Sequence, residues 1–159
     1  MTSEHLLHTI PPIYDGNSKI LILGSFPSVK SREVSFYYGH PQNRFWRVLA
    51  AVLGCAVPSS NEEKTALLQS HNIALWDVIK SCDIVGSSDS SIKNVVPNDI
   101  GVILSSCGIR QIYSNGKTSE KLFNKYIKDT VGRDTVALPS TSPANASYNL
   151  ERLTDSWSV

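Results

Sequence analysis

Four short apolar segments alternate with stretches of helical periodicity, and this alternation leaves few folds open. Residues 19–24 read KILILG, 73–79 IALWDVI, 110–114 RQIYS and 135–138 TVAL. Short, nearly continuous apolar runs of this kind predict strands buried on both faces. Between the first two runs, residues 43–53 put Phe45, Trp46, Leu49 and Leu53 on one helical face, and Gly54 stands where a helix stops. The SNEE of residues 60–63 spells a capping box that opens a second helix to about Ser70. Further helices are predicted from Pro97–Asn98 to about Cys107, from Thr118 to Lys128 and from Leu150 to Trp157. Residues 25–42, 81–94 and 139–146 read as loops, and 1–18 as a polar lead-in. Strands that alternate with helices predict an α/β/α sandwich of three layers around a central, mostly parallel four-stranded sheet. Residues 1–159 read as a single domain.

Composition narrows the class further. Apolar residues make up 41% of the chain and charged residues 18%, enough to bury an ordinary core without staples. Cys55, Cys82 and Cys107 are too few and too widely spaced for an iron–sulfur cluster or a CxxC zinc site. They read as reduced, buried thiols. No apolar run approaches the ~18 residues of a membrane span, and the first residues carry an early acid in place of a leader's apolar stretch. The expectation is a cytoplasmic protein with no membrane partner. Fifteen basic residues face fourteen acidic ones, so any attraction to an anionic partner has to be local.

In open parallel sheets, ligands bind beyond the carboxyl ends of the strands. Three segments converge there: 24–43, Trp76–Asp77 with the loop after it, and 139–146. Several familiar sites are excluded by spacing. The GKT of residues 116–118 lacks the required glycine, since position 111 is Gln. Leu23 and Phe26 break a GxSxG elbow around Ser25. His5, His8, His40 and His71 have no metal-ligand spacing, and no GxGxxG follows the first strand. Neither a metal nor an organic cofactor is expected.

Three motifs occupy the convergent segments. GSFPS (24–28) allows close backbone approach and a fixed turn, although a plain strand-to-loop turn reads the same way. YYGHPQNRFW (37–46), preceded by Phe36, sets aromatics in a long loop, where they are costly unless they cover something. A base stacked on such a ring gains ~1–3 kcal/mol. Lys30, Arg32, Arg44 and Arg47 gather in the same region against Glu33, which also fits a solvated basic face. LPSTSPANA (138–146) offers hydroxyls, an amide and rigid prolines that suit phosphate oxygens, or simply a loop capping the last helix.

Together, and in this order, the three motifs resemble the uracil-DNA glycosylase superfamily. The likeness is greatest to its hypoxanthine (deoxyinosine) DNA glycosylase branch, and mismatch-specific uracil glycosylases share the HPxNRFW portion. The resemblance implies an enzyme that flips a deaminated base out of DNA and hydrolyses its N-glycosidic bond. It departs from the superfamily at Phe26, where an Asn or Asp usually handles water. In the hypoxanthine branch the Asn of HPxNxFW takes over, which is Asn43 here. Asn43 suits a helix N-cap equally well. The resemblance makes Tyr38 the ring that stacks on the flipped base, with Tyr37 next, and adds Phe26 and Ser25 to the base-binding set. Asp77 would read the base edge by accepting from N1–H, hold a water, or merely cap backbone amides. Ser28, Lys30, Arg44, Ser140, Ser142, Pro143, Ala144 and Asn145 fall where relatives grip DNA, with Asn145 rather than the small Ala144 as the wedge. The implied partner is damaged DNA, single- or double-stranded, with downstream repair enzymes after it. The chain is expected to act as a monomer. Two rivals stay open: a nucleoside N-glycosidase on small molecules, and a non-catalytic domain of the same fold that binds DNA or nucleotide.

Overall fold

The computed structural model describes residues 2–159. The four predicted core strands form one parallel sheet in the order β3-β2-β6-β7: β2 (Ile20–Gly24), β3 (Ile73–Asp77), β6 (Gln111–Asn115) and β7 (Val136–Leu138). Registry runs from Ile20 opposite Ile73 to Gly24 opposite Asp77, and from Ile20 opposite Gln111 to Leu23 opposite Ser114. The ends of β2 and β3 therefore deliver Gly24 and Asp77 side by side.

Period-2 alternation splits the strand side chains between two cores. Ile22, Ile73 and Leu75 face α2 (Phe45–Leu53), α3 (Asn61–Ser70) and α7 (Leu150–Ser156), packing with Phe45, Leu49, Leu68, Leu153 and Trp157. Leu21, Leu23, Ala74 and Ile112 face α4 (Gly101–Ser106) and α5 (Lys117–Tyr126), packing with Ile103 and Phe123. The expected three layers are present. The helix stops and starts also follow the sequence. Gly54 adopts φ 69° and closes α2, and the Ser60 hydroxyl accepts from the Glu63 N–H to open α3.

A second, three-stranded antiparallel sheet was not expected. It is ordered β1-β4-β5, from β1 (Glu4–Leu7), β4 (Ile79–Ile84) and β5 (Lys93–Pro97). The presumed lead-in and the presumed 81–94 loop thus supply strands. Their signal is weak for a physical reason. β1 has only four residues and β5 is largely exposed, while register shifts interrupt β4 against β5 at Ile79/Ser81 and Ser81/Asp83. The expected continuous strand 73–79 is broken at Val78, where one sheet hands over to the other. Asn98 straps this joint, its amide donating to Asp77 O at 2.9 Å and Ile79 O at 3.1 Å. The loop 25–42 contains a short helix, α1 (Val29–Val34), capped by Ser28, and α5 is followed by a further turn, α6 (Lys128–Val131). The helix expected from Pro97 begins only at Gly101.

Candidate active site

A cleft of about 370 Å³ opens at the carboxyl ends of β2, β3 and β6, within the size range of small-molecule sites. Ser25, Phe26, Ser28, Tyr37, Tyr38, Asn43, Asp77, Ser140, Ser142 and Ala144 all line it, so most of the expected site residues do converge. Lys30, Arg44, Pro143 and Asn145 do not line it.

Asp77 is the acidic centre. Its side chain is 5% exposed and Oδ2 accepts from His8 Nε2–H at 2.8 Å, with His8 itself 1% exposed on its side chain. Oδ1 makes no hydrogen bond among the described residues and borders Gly24, whose missing side chain makes room for it. A carboxylate this buried is tolerable only when paired, and His8 is the partner. The alternative that Asp77 merely caps backbone amides does not apply.

Asn43 divides its amide between two tasks. Oδ1 accepts from Phe45 N–H and from Thr141 Oγ1–H, both at 2.9 Å. Arg44 occupies the N-cap position of α2 and makes no side-chain cap bond, so Asn43 serves the helix start only through the Phe45 N–H, and its oxygen is unavailable to a water. Nδ2 has no partner among the described residues and belongs to a cleft-lining residue. Behind it, Thr141 is fully buried and Asn115 grips it twice, donating Nδ2–H to Oγ1 at 3.0 Å and accepting Thr141 N–H at 3.1 Å. The direction of each bond follows, because Phe45 N–H can only donate.

The aromatic wall is Tyr38 and Phe26. Tyr38 stands in the left-handed region at φ 52°, a costly conformation for a bulky residue and one that concentrates at functional sites. That twist stacks its ring on Phe45 at 4.1 Å and sends its hydroxyl beside Gly24, where the oxygen is buried without a hydrogen-bond partner among the described residues. Burial, and then the Asp77 charge, push its ionisation far above the ordinary tyrosine range, so it is a neutral O–H donor. Phe26 packs on the small sheet through Ile79, Cys82 and Ile84, with the Arg32 guanidinium 5.7 Å from its ring centre.

Four of the expected site residues make contacts within the protein. Tyr37 borders the cleft from within the core: it is 2% exposed, and its hydroxyl is directed at Ile10 O and Pro11 O. Arg44 is engaged within the protein. Its guanidinium donates to the carbonyls of Thr141, Ser142, Asn145 and Tyr148 and so holds the 139–149 loop in shape. Asn145 is not a free wedge, because its amide donates to Ser140 O at 3.0 Å. Lys30 is half-exposed, outside the cleft lining, with its Nζ 3.6 Å from Glu33 Oε2.

Sequence reasoning missed His8, Thr141, Asn115 and the serine-rich rim of Ser87, Ser88, Asp89 and Ser90. The rim is docked by Val29 N–H on Ser87 Oγ at 2.8 Å and by Arg32 on Gly86 O at 3.2 Å. Asn115 ends a strand directly before Gly116, a signal that was present. His8 had none, since its partner lies 69 positions away.

The cleft at the mouth of the parallel sheet thus combines aromatic walls, the Asp77 carboxylate, the Asn43 amide and a rim of serine hydroxyls with Asp89. The chain belongs to the uracil DNA glycosylase superfamily, whose family model matches residues 11–158. It is 36% identical over 137 residues to a hypoxanthine DNA glycosylase of Methanosarcina barkeri, covering 85% of each chain. It is 35% identical over 144 residues to a hypoxanthine DNA glycosylase of Methanosarcina acetivorans, covering 89% of this chain and 90% of that one. The fold matches the solution structure of a candidate uracil DNA glycosylase from Methanosarcina acetivorans with a TM-score of 0.78, at 34% identity over 92% of this chain and 91% of that one.

Proposed function

We propose that this protein excises hypoxanthine from DNA by hydrolysing its N-glycosidic bond, leaving an abasic site. The observation that carries the reading is the buried Asp77 carboxylate with Oδ1 left for the cleft. Hypoxanthine presents N1–H to such an acceptor, and the two curated relatives are named for that base.

Flipping the nucleotide places the base between Tyr38 and Phe26 and brings the sugar carbon to the mouth. Bond loosening leads, with positive charge growing on the sugar and negative charge on the departing purine. Asn43 Nδ2–H and the Tyr38 hydroxyl donate to that growing negative charge, and the Asn43–Thr141–Asn115 chain fixes the donor in advance. One such donor is worth roughly 3–4 kcal/mol. Water then adds to the sugar carbon, so the reaction consumes nothing but the DNA and water. The rim hydroxyls of Ser28, Ser140 and Ser142 suit the phosphates flanking the flipped nucleotide. The cleft is complete within one chain, which supports action as a monomer on a single domain.

Oligonucleotides carrying one deoxyinosine or one deoxyuridine, single- and double-stranded, test this by alkali-revealed abasic sites. Cleavage at inosine that is lost in Asn43→Ala is expected. Tight DNA binding without cleavage of either lesion would instead identify a non-catalytic relative. Turnover confined to free nucleosides would identify a small-molecule glycosidase.

A further inference from the structure

We propose that His8 is a positioning residue for the base-reading carboxylate: it takes Asp77 Oδ2 and so holds Oδ1 as a fixed acceptor for a ring N–H of the flipped base. The inference rests on the cleft being a hypoxanthine-excising site. It goes beyond the family pattern, because His8 lies ahead of the 11–158 stretch that the family model matches.

His8 does not line the cleft, so it acts through Asp77. It arrives there by way of the small sheet. β1 pairs with β4 up to Leu7 opposite Ser81, and His8 N–H then donates to Lys80 O at 2.7 Å. Its ring is held by an edge-on contact with Phe26 at 6.0 Å and by Tyr37 at 6.1 Å. A buried ring with neighbours on two sides has little rotamer freedom, and neither has the carboxylate bonded to it. Gly24 completes the seat, since a side chain there would collide with Oδ1.

The chemistry of the pair decides what Asp77 does. A carboxylate with one oxygen held by a buried N–H donor and the other seated beside Gly24 is a fixed acceptor. That favours reading the base over activating water. Hypoxanthine and other lactam bases carry an N–H at this edge. Adenine and unsubstituted purine carry a lone pair on N1, which a fixed carboxylate oxygen repels. The His8–Asp77 pair would therefore discriminate the deaminated purine from its parent, and removing His8 would weaken that discrimination first.

The test compares excision of hypoxanthine and of unsubstituted purine from otherwise identical oligonucleotides, as the ratio of kcat/KM. Binding of the two DNAs is measured in parallel. The variants are His8→Leu, His8→Gln, Asp77→Asn and the His8→Leu/Asp77→Asn double variant. Wild type is expected to prefer hypoxanthine. His8→Leu should lose at least ~10-fold of that preference, and His8→Gln, which keeps an N–H donor, should recover most of it. In the Asp77→Asn background, His8→Leu should change the ratio by less than ~2-fold. An equal loss on both bases, or full additivity in the double variant, would overturn the proposal. If His8→Leu does not fold, His8→Asn, polar but too short to reach, is read by the same ratio. If wild type excises neither base, the hypoxanthine reading fails on its own. The binding ratio then decides the His8 assignment: no difference between wild type and His8→Leu overturns it.

Discussion

The Thr141 hydroxyl donates to Asn43 Oδ1 at 2.9 Å, joining a helix start to a loop 98 positions away. With Phe45 N–H on the same oxygen, the bond determines which end of the Asn43 amide meets a ligand. Asn43→Asp isolates the consequence. The retained oxygen still accepts from Phe45 and Thr141, but an acceptor oxygen replaces the Nδ2 donor. Hypoxanthine excision under single turnover is expected to fall ~100-fold or more, with a thermal midpoint close to wild type. Wild-type rates in Asn43→Asp would refute the donor role.

Arg44 serves four loop carbonyls. Arg44→Met leaves those oxygens without their charged donor and is expected to cost about 3 kcal/mol of stability in a denaturant titration. The slope of log affinity for DNA against log salt should stay unchanged, because no phosphate contact is removed. A slope reduced by ~1 would return Arg44 to the DNA surface.

Gly24→Ala puts a methyl group against Asp77 Oδ1 and 3.1 Å from the Tyr38 hydroxyl. A loss of ~1–3 kcal/mol is expected from overpacking, together with loss of excision. Gly16→Ala, which meets nothing within 4 Å, is the control and should retain full activity. Equal behaviour of the two would show that the seat beside Asp77 yields.

Tyr38→Phe removes a buried hydroxyl that has no partner among the described residues. Deleting an unsatisfied polar group is neutral or stabilising, so the thermal midpoint should hold or rise. Excision should nevertheless fall, by ~100-fold, because Tyr38 lines the cleft and its O–H is the second donor proposed for the departing base. A fall in stability would mean that the hydroxyl is satisfied in the protein after all.

The main sheet was legible because its strands are nearly continuous apolar runs closed by turn residues, and α2 and α3 because Gly54 and Ser60 mark their ends. The small sheet was not, because short, bulged, half-exposed strands carry no clean period. The cleft was legible as a place, since topology alone converges the three loops. It was less legible as chemistry. Arg44 and Lys30 look alike in a basic segment, yet one is buried in carbonyls and the other lies beside Glu33. Tyr37 and Tyr38 are adjacent, yet a left-handed turn at Tyr38 sends one ring to the core and the other to the cleft wall. Such fates depend on contacts tens of residues away, which local pattern does not encode.

The contact between β1's end and the β3–β4 joint also has a place in time. Its closure spans 69 residues, and β1 is a four-residue, largely exposed edge strand paired with β4 alone, the kind of element that docks last and frays first. The parallel sheet and its helices can assemble around β2 and β3 before the first strand docks on β4. A refolding chain should pass through a form with its tryptophans packed and its cleft outlined, but with Asp77 unbraced. Tryptophan fluorescence would then recover ahead of base selectivity, so the protein would regain its shape before its discrimination.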